Sequence, residues 1–349
     1  MQRRNFLTSL GATIALSMMS ENFTNANRNQ KDLIKPKALK AGDTVGLITP
    51  ATYVPDPDRL ASARRMLNYF GLKMKMGKSA GKRMGDYNLS IKERADDLHD
   101  MFRDPEINGI ICVRGGYASM QVLDKIDYDL IRKNPKVFVG YSDITAMHLA
   151  INRYSRLLTF HGPMTLATFT DYTREHYKKA LFDTKPLGKL SNPPEKNEMR
   201  PLHPIRTVRS GNASGQLTGG NLTLITATLG TPYEIDTKGK ILFIEDIDEE
   251  PYSIDRMLTQ MRLAGKFENI AGLIFGECAN CMPRDYKPSL GLPYSLGEVI
   301  DNILGGLKVP VFYGMTFGHT DDQLTLPMEV TATMDADAGT LEITESATV

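Results

Sequence analysis

The stretch VFVGYSDITAMHLA, residues 137–150, changes character in its middle. An apolar run from Val137 ends in the corner Gly140-Tyr141-Ser142-Asp143, and apolar residues at helical spacing follow at once. A short apolar run bounded by turn residues is typical of a buried strand, and the spacing after it is typical of a helix. A strand that passes directly into a helix predicts a parallel sheet covered by helices.

The same alternation occurs along both halves of the chain. Before this stretch, the patterns predict strands at 43–51 and 109–117 and helices at 56–72 and 90–105. After residue 215, apolar runs at 241–244, 270–278 and 309–315 alternate with helical patterns, and 328–344 predicts a hairpin. We therefore predict an α/β fold in which both domains contain a parallel sheet and the C-terminal one adds antiparallel strands.

The domain boundaries follow from where this pattern weakens. Residues 166–215 are rich in Pro, Lys, Asn and Ser, so we predict a linker with short strands there. The predicted organisation is an export signal at 1–30, an N-terminal α/β domain at 31–165, this linker, and a C-terminal domain at 216–349. We expect an active site in the cleft between the two domains, because ligands of open parallel sheets gather at the carboxyl ends of the strands.

The first residues have the composition of an export signal. Arg3 and Arg4 precede Asn5-Phe6-Leu7 and a stretch of apolar and small residues, which resembles a twin-arginine signal and predicts a periplasmic protein. The apolar stretch is too short to cross a bilayer comfortably, and no cysteine follows it, so we expect no stable membrane anchor. The alternative is a frayed amphipathic terminus.

Composition excludes several classes of protein. Formal net charge is +1, with 41% hydrophobic and 24% charged residues, which is ordinary for a soluble globular protein and gives no basic field for nucleic acid. The chain has no phosphate loop, no G-x-G-x-x-G and no H-E-x-x-H. Its three cysteines do not form a disulfide scaffold, and the single pair Cys278 and Cys281 is too small for a zinc site, although export would permit a disulfide between them.

Reactive residues follow several predicted strands. These positions are Arg114 to Tyr117, Ser142, Glu245 and His319. A serine needs a base to become a nucleophile, and the base needs an acid that orients it, so Ser142, His319 and Glu245 supply one of each.

Each of these three residues has an alternative reading. Ser142 is also a good helix cap, and Glu245 also begins the acidic run 245–250 before a helix. His161 competes with His319 as the base because it also ends an apolar run. Of the other histidines, His148 is expected to be packed, and three are expected to be solvated: His99, His176 and His203.

Six motifs in order resemble one known family. They are VRGGYAS (113–119), VGYSDITAMHLAI (139–151), TFHGPM (159–164), TGGNLTLI (218–225), ILFIEDIDEEPYSIDRML (241–258) and FGHTDDQLTLP (317–327). Together they are similar to the LD-carboxypeptidase family of serine peptidases, over about residues 40–335. No single motif is specific, but the ordered set is.

The resemblance implies a role for each matching residue. Ser142 would be the nucleophile, Glu245 would orient the base, and His319 would be the general base and then the general acid. The backbone N–H groups of Asp143 and Gly116 would form the oxyanion hole. Neighbouring Gly115 is not excluded as a donor, and Arg114 is a candidate for binding the substrate carboxylate or, alternatively, a structural partner of carboxylates.

The resemblance also implies a substrate and an assembly. The family releases terminal D-alanine from peptidoglycan tetrapeptides by cleaving the bond after an L-centre of lysine or meso-diaminopimelate. No cofactor or metal is expected, and the family pattern suggests a homodimer. The export signal departs from the cytoplasmic members of the family and points to the wall or released muropeptides.

Two other functions remain open from the sequence. A related branch gives immunity to microcin C and tends to use an aromatic residue for the nucleobase, whereas this chain has no tryptophan. A non-catalytic periplasmic protein that binds muropeptides is the third reading, although a binding protein has no need of the Ser142, Glu245 and His319 set.

Overall fold

The computed structural model describes residues 32–349, except 79, 81–89, 196, 198 and 284–293. The predicted export signal at 1–30 lies outside the described residues. From Ile34 to Val349 the chain folds as one unit that contains two sheets. None of the described helices combines the length and the apolar character needed to cross a bilayer.

The strands are numbered in chain order. They are β1 (Thr44–Ile48), β2 (Lys73–Met76), β3 (Ile107–Cys112), β4 (Val137–Gly140), β5 (Phe160–His161), β6 (Gly188–Leu190), β7 (Arg206–Arg209), β8 (Asn212–Asn221), β9 (Lys240–Ile247), β10 (Gly272–Ala279), β11 (Val311–Met315), β12 (Leu326–Pro327), β13 (Thr331–Asp335) and β14 (Thr340–Ile343).

The helices are numbered in the same way. They are α1 (Pro57–Tyr69), α2 (Ile91–Arg103), α3 (Tyr128–Lys133), α4 (Thr145–Ala150), α5 (Asp171–Phe182), α6 (Leu222–Ala227), α7 (Pro251–Leu263) and α8 (Leu296–Leu304). Short 3₁₀ turns span Ser119–Lys125 and Ser142–Ile144, and a π turn at Ile151–Ser155 extends α4.

The first sheet has the order β12-β5-β4-β3-β1-β2. Strands β1 to β5 run parallel, and β12, which comes from the end of the chain, pairs antiparallel with β5 through Leu326 and His161. All four residues of β4 are buried, as are all but one of β3, because helices cover both faces of a parallel sheet. Ser142 lies just beyond the carboxyl end of β4, at the end of the sheet where its parallel strands finish.

The second sheet has the order β6-β14-β13-β8-β9-β10-β11-β7. Strands β8 to β11 are parallel, and antiparallel strands flank them on both sides. The predicted hairpin is formed by β13 and β14. Two sheets of this mixed kind confirm the predicted fold class, and Glu245 lies in the fully buried part of β9.

The segment 166–215 is more ordered than the predicted linker. It contains helix α5 and strands β6 and β7, which join the edges of the second sheet. Thr170 caps α5 by accepting a hydrogen bond from the Thr173 N–H, and the helix buries Tyr177, Ala180 and Leu181. Charged residues separate these few apolar positions, so the helical pattern is weak in the sequence. The domain boundaries themselves stay a prediction.

Candidate active site

Ser142 occupies a strained corner after β4. Its φ is +62°, in the left-handed region that non-glycine residues rarely adopt and that costs about 1–3 kcal/mol. Neither the 3₁₀ turn that begins at Ser142 nor α4 after it has a side-chain cap, so the cap interpretation of Ser142 is wrong. A strained serine whose hydroxyl is not used by the helix fits a functional residue better than a structural one.

Gly115 faces the Ser142 side chain directly. A Cβ on Gly115 would lie 3.0 Å from Ser142 Cβ, 3.2 Å from its Oγ and 3.3 Å from the Asp143 nitrogen. At Gly116, with φ +110°, a Cβ would instead overlap the Thr52 side chain. Gly115 therefore lets the chain after β3 pass close to Ser142 and to the N–H of Asp143, and Gly116 lets it pass close to Thr52.

Hydrogen bonds between Asp143 and Ser119 stabilise this corner. Its buried carboxylate accepts a hydrogen bond from the Ser119 N–H at 2.8 Å, and the Ser119 hydroxyl donates to the Asp143 carbonyl. Burial raises the pKa of Asp143, although the Ser119 hydrogen bonds and the Arg94 charge act in the other direction. Because its side chain points into the protein, Asp143 can offer the site only its backbone.

The side chains of Glu245 and His319 are in hydrogen-bond contact. His319 Nδ1 lies 2.7 Å from Glu245 Oε2, and the Glu245 side chain is fully buried. A carboxylate has no proton to give, so Nδ1 is the donor and Nε2 is left as the basic nitrogen. Burial alone lowers the pKa of His319, but the charge and hydrogen bond of Glu245 raise it above the ordinary histidine value. This pair has the geometry of an oriented general base.

Tyr141 connects the two sides of the site. The ring of Tyr141, next to Ser142 in the chain, packs edge-on against the His319 ring, with centroids 4.9 Å apart. The serine corner and the histidine are therefore neighbours, although they come from different sheets.

Gly318 allows the close approach of His319 to Glu245. Its φ is +89°, and a Cβ there would overlap the Glu245 carboxylate. We expect Gly318→Ala to lower the free energy of unfolding by about 1–3 kcal/mol and kcat about a hundredfold, since the carboxylate must move away from His319. Chemical denaturation and steady-state kinetics measure the two effects.

Gly188→Ala is the matched control for Gly318→Ala. Gly188 has φ +72°, but no atom lies within 4 Å of a Cβ there, so the variant carries similar backbone strain without contact to the site. It should lose stability and keep its rate. Equal rates for the two variants would show that Gly318 has only a conformational role.

His161, the competing base, lacks an acid. It is fully buried in β5, and its ring packs against the aromatic rings of Tyr141, Phe243 and Phe317. Burial lowers its pKa well below the ordinary value, and neither ring nitrogen has a hydrogen-bond partner among the described residues. The geometry therefore favours His319 over His161 as the base.

The remaining histidines only partly match their predictions. His148 is packed, with Nδ1 2.9 Å from Thr159 Oγ1. His99 and His176 are half-buried rather than solvated. His203 departs furthest from its predicted solvation, because it lies between Glu277 and Asp322 with only 12% of its side chain exposed. The sequence carried no signal for this contact, since the three residues are far apart in the chain.

Arg114 and the cysteines complete the list of candidate residues. Arg114 is half-buried at the end of β3, and its side chain has no salt bridge or hydrogen bond to the residues that the structure describes. The reading of Arg114 as a structural partner of carboxylates thus finds no support. Cys278 and Cys281 are free thiols at the carboxyl end of β10. Among the described side chains, no three His, Cys, Asp or Glu residues are grouped as metal ligands.

Two protein-family models match this chain. The LD-carboxypeptidase N-terminal domain matches residues 45–162, and the LD-carboxypeptidase C-terminal domain matches residues 214–334. A probable murein peptide carboxypeptidase from Bacillus subtilis is 42% identical over 306 residues, covering 86% of this chain and 91% of the relative.

Two solved structures match over nearly their whole length. A microcin C7 self-immunity protein in complex with aspartyl sulfamoyl adenosine has a TM-score of 0.79 and 30% identity, covering 90% of this chain and 100% of the other. Its counterpart from Escherichia coli is 32% identical in sequence over 88% of this chain and 94% of that protein. The muramoyltetrapeptide carboxypeptidase from Oxalobacter formigenes has a TM-score of 0.74 and 28% identity, covering 87% and 99%.

Proposed function

This chain belongs to the LD-carboxypeptidase family, and from that premise we propose that it is a serine carboxypeptidase that releases terminal D-alanine from peptidoglycan tetrapeptides. The observation that carries the proposal is the contact of His319 with buried Glu245 beside the strained corner of Ser142. The 42% identity to a probable murein peptide carboxypeptidase supports the choice of substrate.

The first half of the reaction forms an acyl-enzyme. Ser142 Oγ attacks the carbonyl carbon of the bond before D-alanine, and His319 Nε2 takes the hydroxyl proton while Nδ1 stays bonded to Glu245. The backbone N–H groups of Asp143 and Gly116 stabilise the negative oxygen of the tetrahedral intermediate. Collapse breaks the C–N bond, and His319 returns the proton to the amine of D-alanine.

The second half regenerates the enzyme. D-alanine leaves, and a water molecule gives a proton to His319 as it attacks the ester carbon of the acyl-enzyme. The new carboxylate leaves with the shortened peptide, and Ser142 regains its proton from His319. The reaction proposed here runs through protein groups and water.

Arg114 is proposed to bind the carboxylate of D-alanine. It directly precedes Gly115, on which a Cβ would lie 3.0 Å from Ser142 Cβ, and this position in the chain supports a guanidinium near the reacting bond. Because the described residues do not pair with it, its donors remain available to a carboxylate, which a guanidinium binds in a bidentate way. The expected homodimer and periplasmic location stay predictions.

The proposal is tested with a pair of synthetic disaccharide-tetrapeptides. Purified protein is incubated with one substrate that ends in D-alanine and a matched one that ends in L-alanine, and mass spectrometry follows the loss of the last residue. Release from the D-substrate alone is the expected result. Release from neither would rule out the proposed substrate.

Microcin immunity is the second candidate, because the self-immunity protein shares the fold at a TM-score of 0.79. The same triad could cleave an amide of aspartyl sulfamoyl adenosine. This compound, run in parallel with the tetrapeptide, separates the two functions by which substrate turns over. Binding of the tetrapeptide without turnover of either compound would favour a non-catalytic muropeptide-binding protein.

The pH dependence of the rate should report the Glu245–His319 pair. The base must be neutral, and Glu245 raises the pKa of His319, so kcat/KM should rise as pH passes through a value above the ordinary 6.5. In Glu245→Gln, burial dominates and the pKa of His319 falls, so the acidic limb should move to lower pH while the maximum rate drops about 10²–10⁴-fold.

Kinetics of both proteins between pH 5 and 9 would check this prediction. An acidic limb that stays in place in Glu245→Gln would show that Glu245 does not set the protonation of His319. Circular dichroism before each assay controls for unfolding.

A further inference from the structure

His203 forms a second histidine–carboxylate contact, next to the loop that carries His319. We propose that His203 is a positioning residue that bridges Glu277 and Asp322 and so holds the loop 316–323, with His319, against Glu245. This inference rests on the proposed function, because it assigns His203 a task in the same reaction. His203 does not touch the reacting atoms.

Each ring nitrogen of His203 faces a carboxylate oxygen. Nδ1 lies 2.6 Å from Glu277 Oε1, and Nε2 lies 3.3 Å from Asp322 Oδ2. Ionised carboxylates only accept hydrogen bonds, so the imidazole makes both contacts only as the imidazolium. The hydrogen bond with Glu277 raises the pKa of His203, against the effect of burial, and Asp322 adds to the increase.

One end of the bridge lies beside the acid of the triad. Glu277 is in β10 next to Cys278, which pairs with Asp246 of the neighbouring strand β9. Asp246 follows Glu245 directly in the chain. Glu277 therefore lies in the stretch of β10 where the register shifts, opposite the part of β9 that carries Glu245.

The other end lies in the loop of the base. Asp322 follows His319 by three residues, and its second carboxylate oxygen accepts a hydrogen bond from the Thr170 hydroxyl at the start of α5. The loop is also closed on itself, because the Thr320 hydroxyl donates to the Asp322 carbonyl at 2.7 Å. The position of Asp322 therefore affects the position of the short segment that contains His319.

The backbone of His203 is itself well fixed. The Glu195 carboxylate accepts hydrogen bonds from the N–H groups of Leu202 and His203, at 2.9 and 2.7 Å. The Asn192 amide donates to the carbonyls of His203 and Gly314, and its oxygen accepts from the Thr316 N–H. These hydrogen bonds fix the backbone of His203 relative to the end of β11.

The charges around His203 set the sign of its pH dependence. Besides Glu277, Asp322 and Glu195, the groove of about 660 Å³ next to it is lined by Asp171 and Arg174 of α5. Because the pKa of His203 is raised on folding, the bridge is fully present below the ordinary value of 6.5 and is lost as pH rises through the higher folded value. The deprotonated ring keeps one donor, so one carboxylate then faces a lone pair.

The test uses a probe that does not depend on the natural substrate. A fluorophosphonate labels an activated serine, so its rate of reaction with Ser142 in the full chain reports the state of the triad between pH 5 and 10. Tetrapeptide turnover is measured in parallel. If the parent protein is labelled but does not turn over the tetrapeptide, the result contradicts the proposed substrate only. The test of His203 by labelling then remains valid.

His203→Gln should label about tenfold more slowly near pH 6, since a small displacement of a catalytic group has effects of this order or larger. Its rate should also lack the alkaline decrease that the parent shows as His203 loses its proton. The matched control is His99→Gln, because half-buried His99 accepts a hydrogen bond from the Asp127 N–H in the first half of the chain and touches no part of this loop. It should keep the rate and profile of the parent.

Asp322→Asn separates positioning from stability. Asparagine can still accept from His203 and donate to Thr170, but it removes one charge, so the pKa of His203 should fall and the alkaline limb should move to lower pH. A purely structural role would change the melting temperature without moving this limb. Labelling of His203→Gln or Asp322→Asn with the rate and pH profile of the parent would overturn the proposal.

Discussion

Replacement of Ser142 by alanine is expected to lower the rate of D-alanine release by about 10⁴-fold or more, because the variant has no oxygen to form the acyl-enzyme. The fold should remain, since the Ser142 side chain caps neither of the two helices that follow it. Mass spectrometry of the products measures the rate, and intact-protein mass spectrometry detects the acyl-enzyme in the parent alone.

Ser155→Ala is the control that separates stability from catalysis. The Ser155 hydroxyl donates to the Tyr128 carbonyl at 2.9 Å, so its loss should cost about 1 kcal/mol of stability and leave turnover intact. A Ser142→Ala protein that still releases D-alanine at the rate of the parent would remove Ser142 from the mechanism.

Replacement of His319 by alanine should be nearly as damaging, with a loss of about 10³–10⁴-fold or more, because in the described site His319 is the histidine next to Tyr141 that a carboxylate orients. The variant also leaves the carboxylate of Glu245 buried without its partner, so some loss of stability should accompany the loss of rate. Since the members of a catalytic triad act as a unit, the proposed triad predicts that Ser142→Ala combined with His319→Ala is little worse than either change alone.

His161→Ala distinguishes the two candidate bases. The change removes a buried ring from an aromatic cluster, so its main effect should be on the free energy of unfolding, and its rate should fall much less than that of His319→Ala. Kinetics below the melting transition of each variant make the comparison. The reverse order of rates would transfer the role of base to His161.

Buried strands were the most predictable part of the fold. The central strands β3, β4 and β9 read as nearly continuous apolar runs because both of their faces are covered. The edge strand β2, Lys-Met-Lys-Met, alternates with lysine and did not stand out from the residues around it. Helix α5 was not predicted for a related reason. Charged residues surround its few buried positions, so its apolar residues do not form a clear helical pattern in the sequence.

The candidate site could be proposed from the sequence where a residue and its local pattern were enough. Strand ends and ordered motifs picked out Ser142, Glu245 and His319, and the structure adds the 2.7 Å contact between the last two. The sequence left Gly115 open beside Gly116 as an oxyanion donor, because the choice depends on where each backbone N–H points in space, which neighbouring residues in the chain do not determine. It gave His203 the wrong environment, since the carboxylates of Glu277 and Asp322 lie 74 and 119 residues away in the chain.

The pairing of β12 with β5 has a consequence for synthesis. The ribosome makes Ser142 and the strands around it first, but the outer edge of β5 stays unpaired until Leu326 and Pro327 have emerged. His319 emerges only shortly before them. A chain that stops early therefore carries Ser142 without His319 and leaves a sheet edge open to aggregation. The contact of the Ser142 corner with His319 and the completion of the first sheet therefore both form near the end of translation.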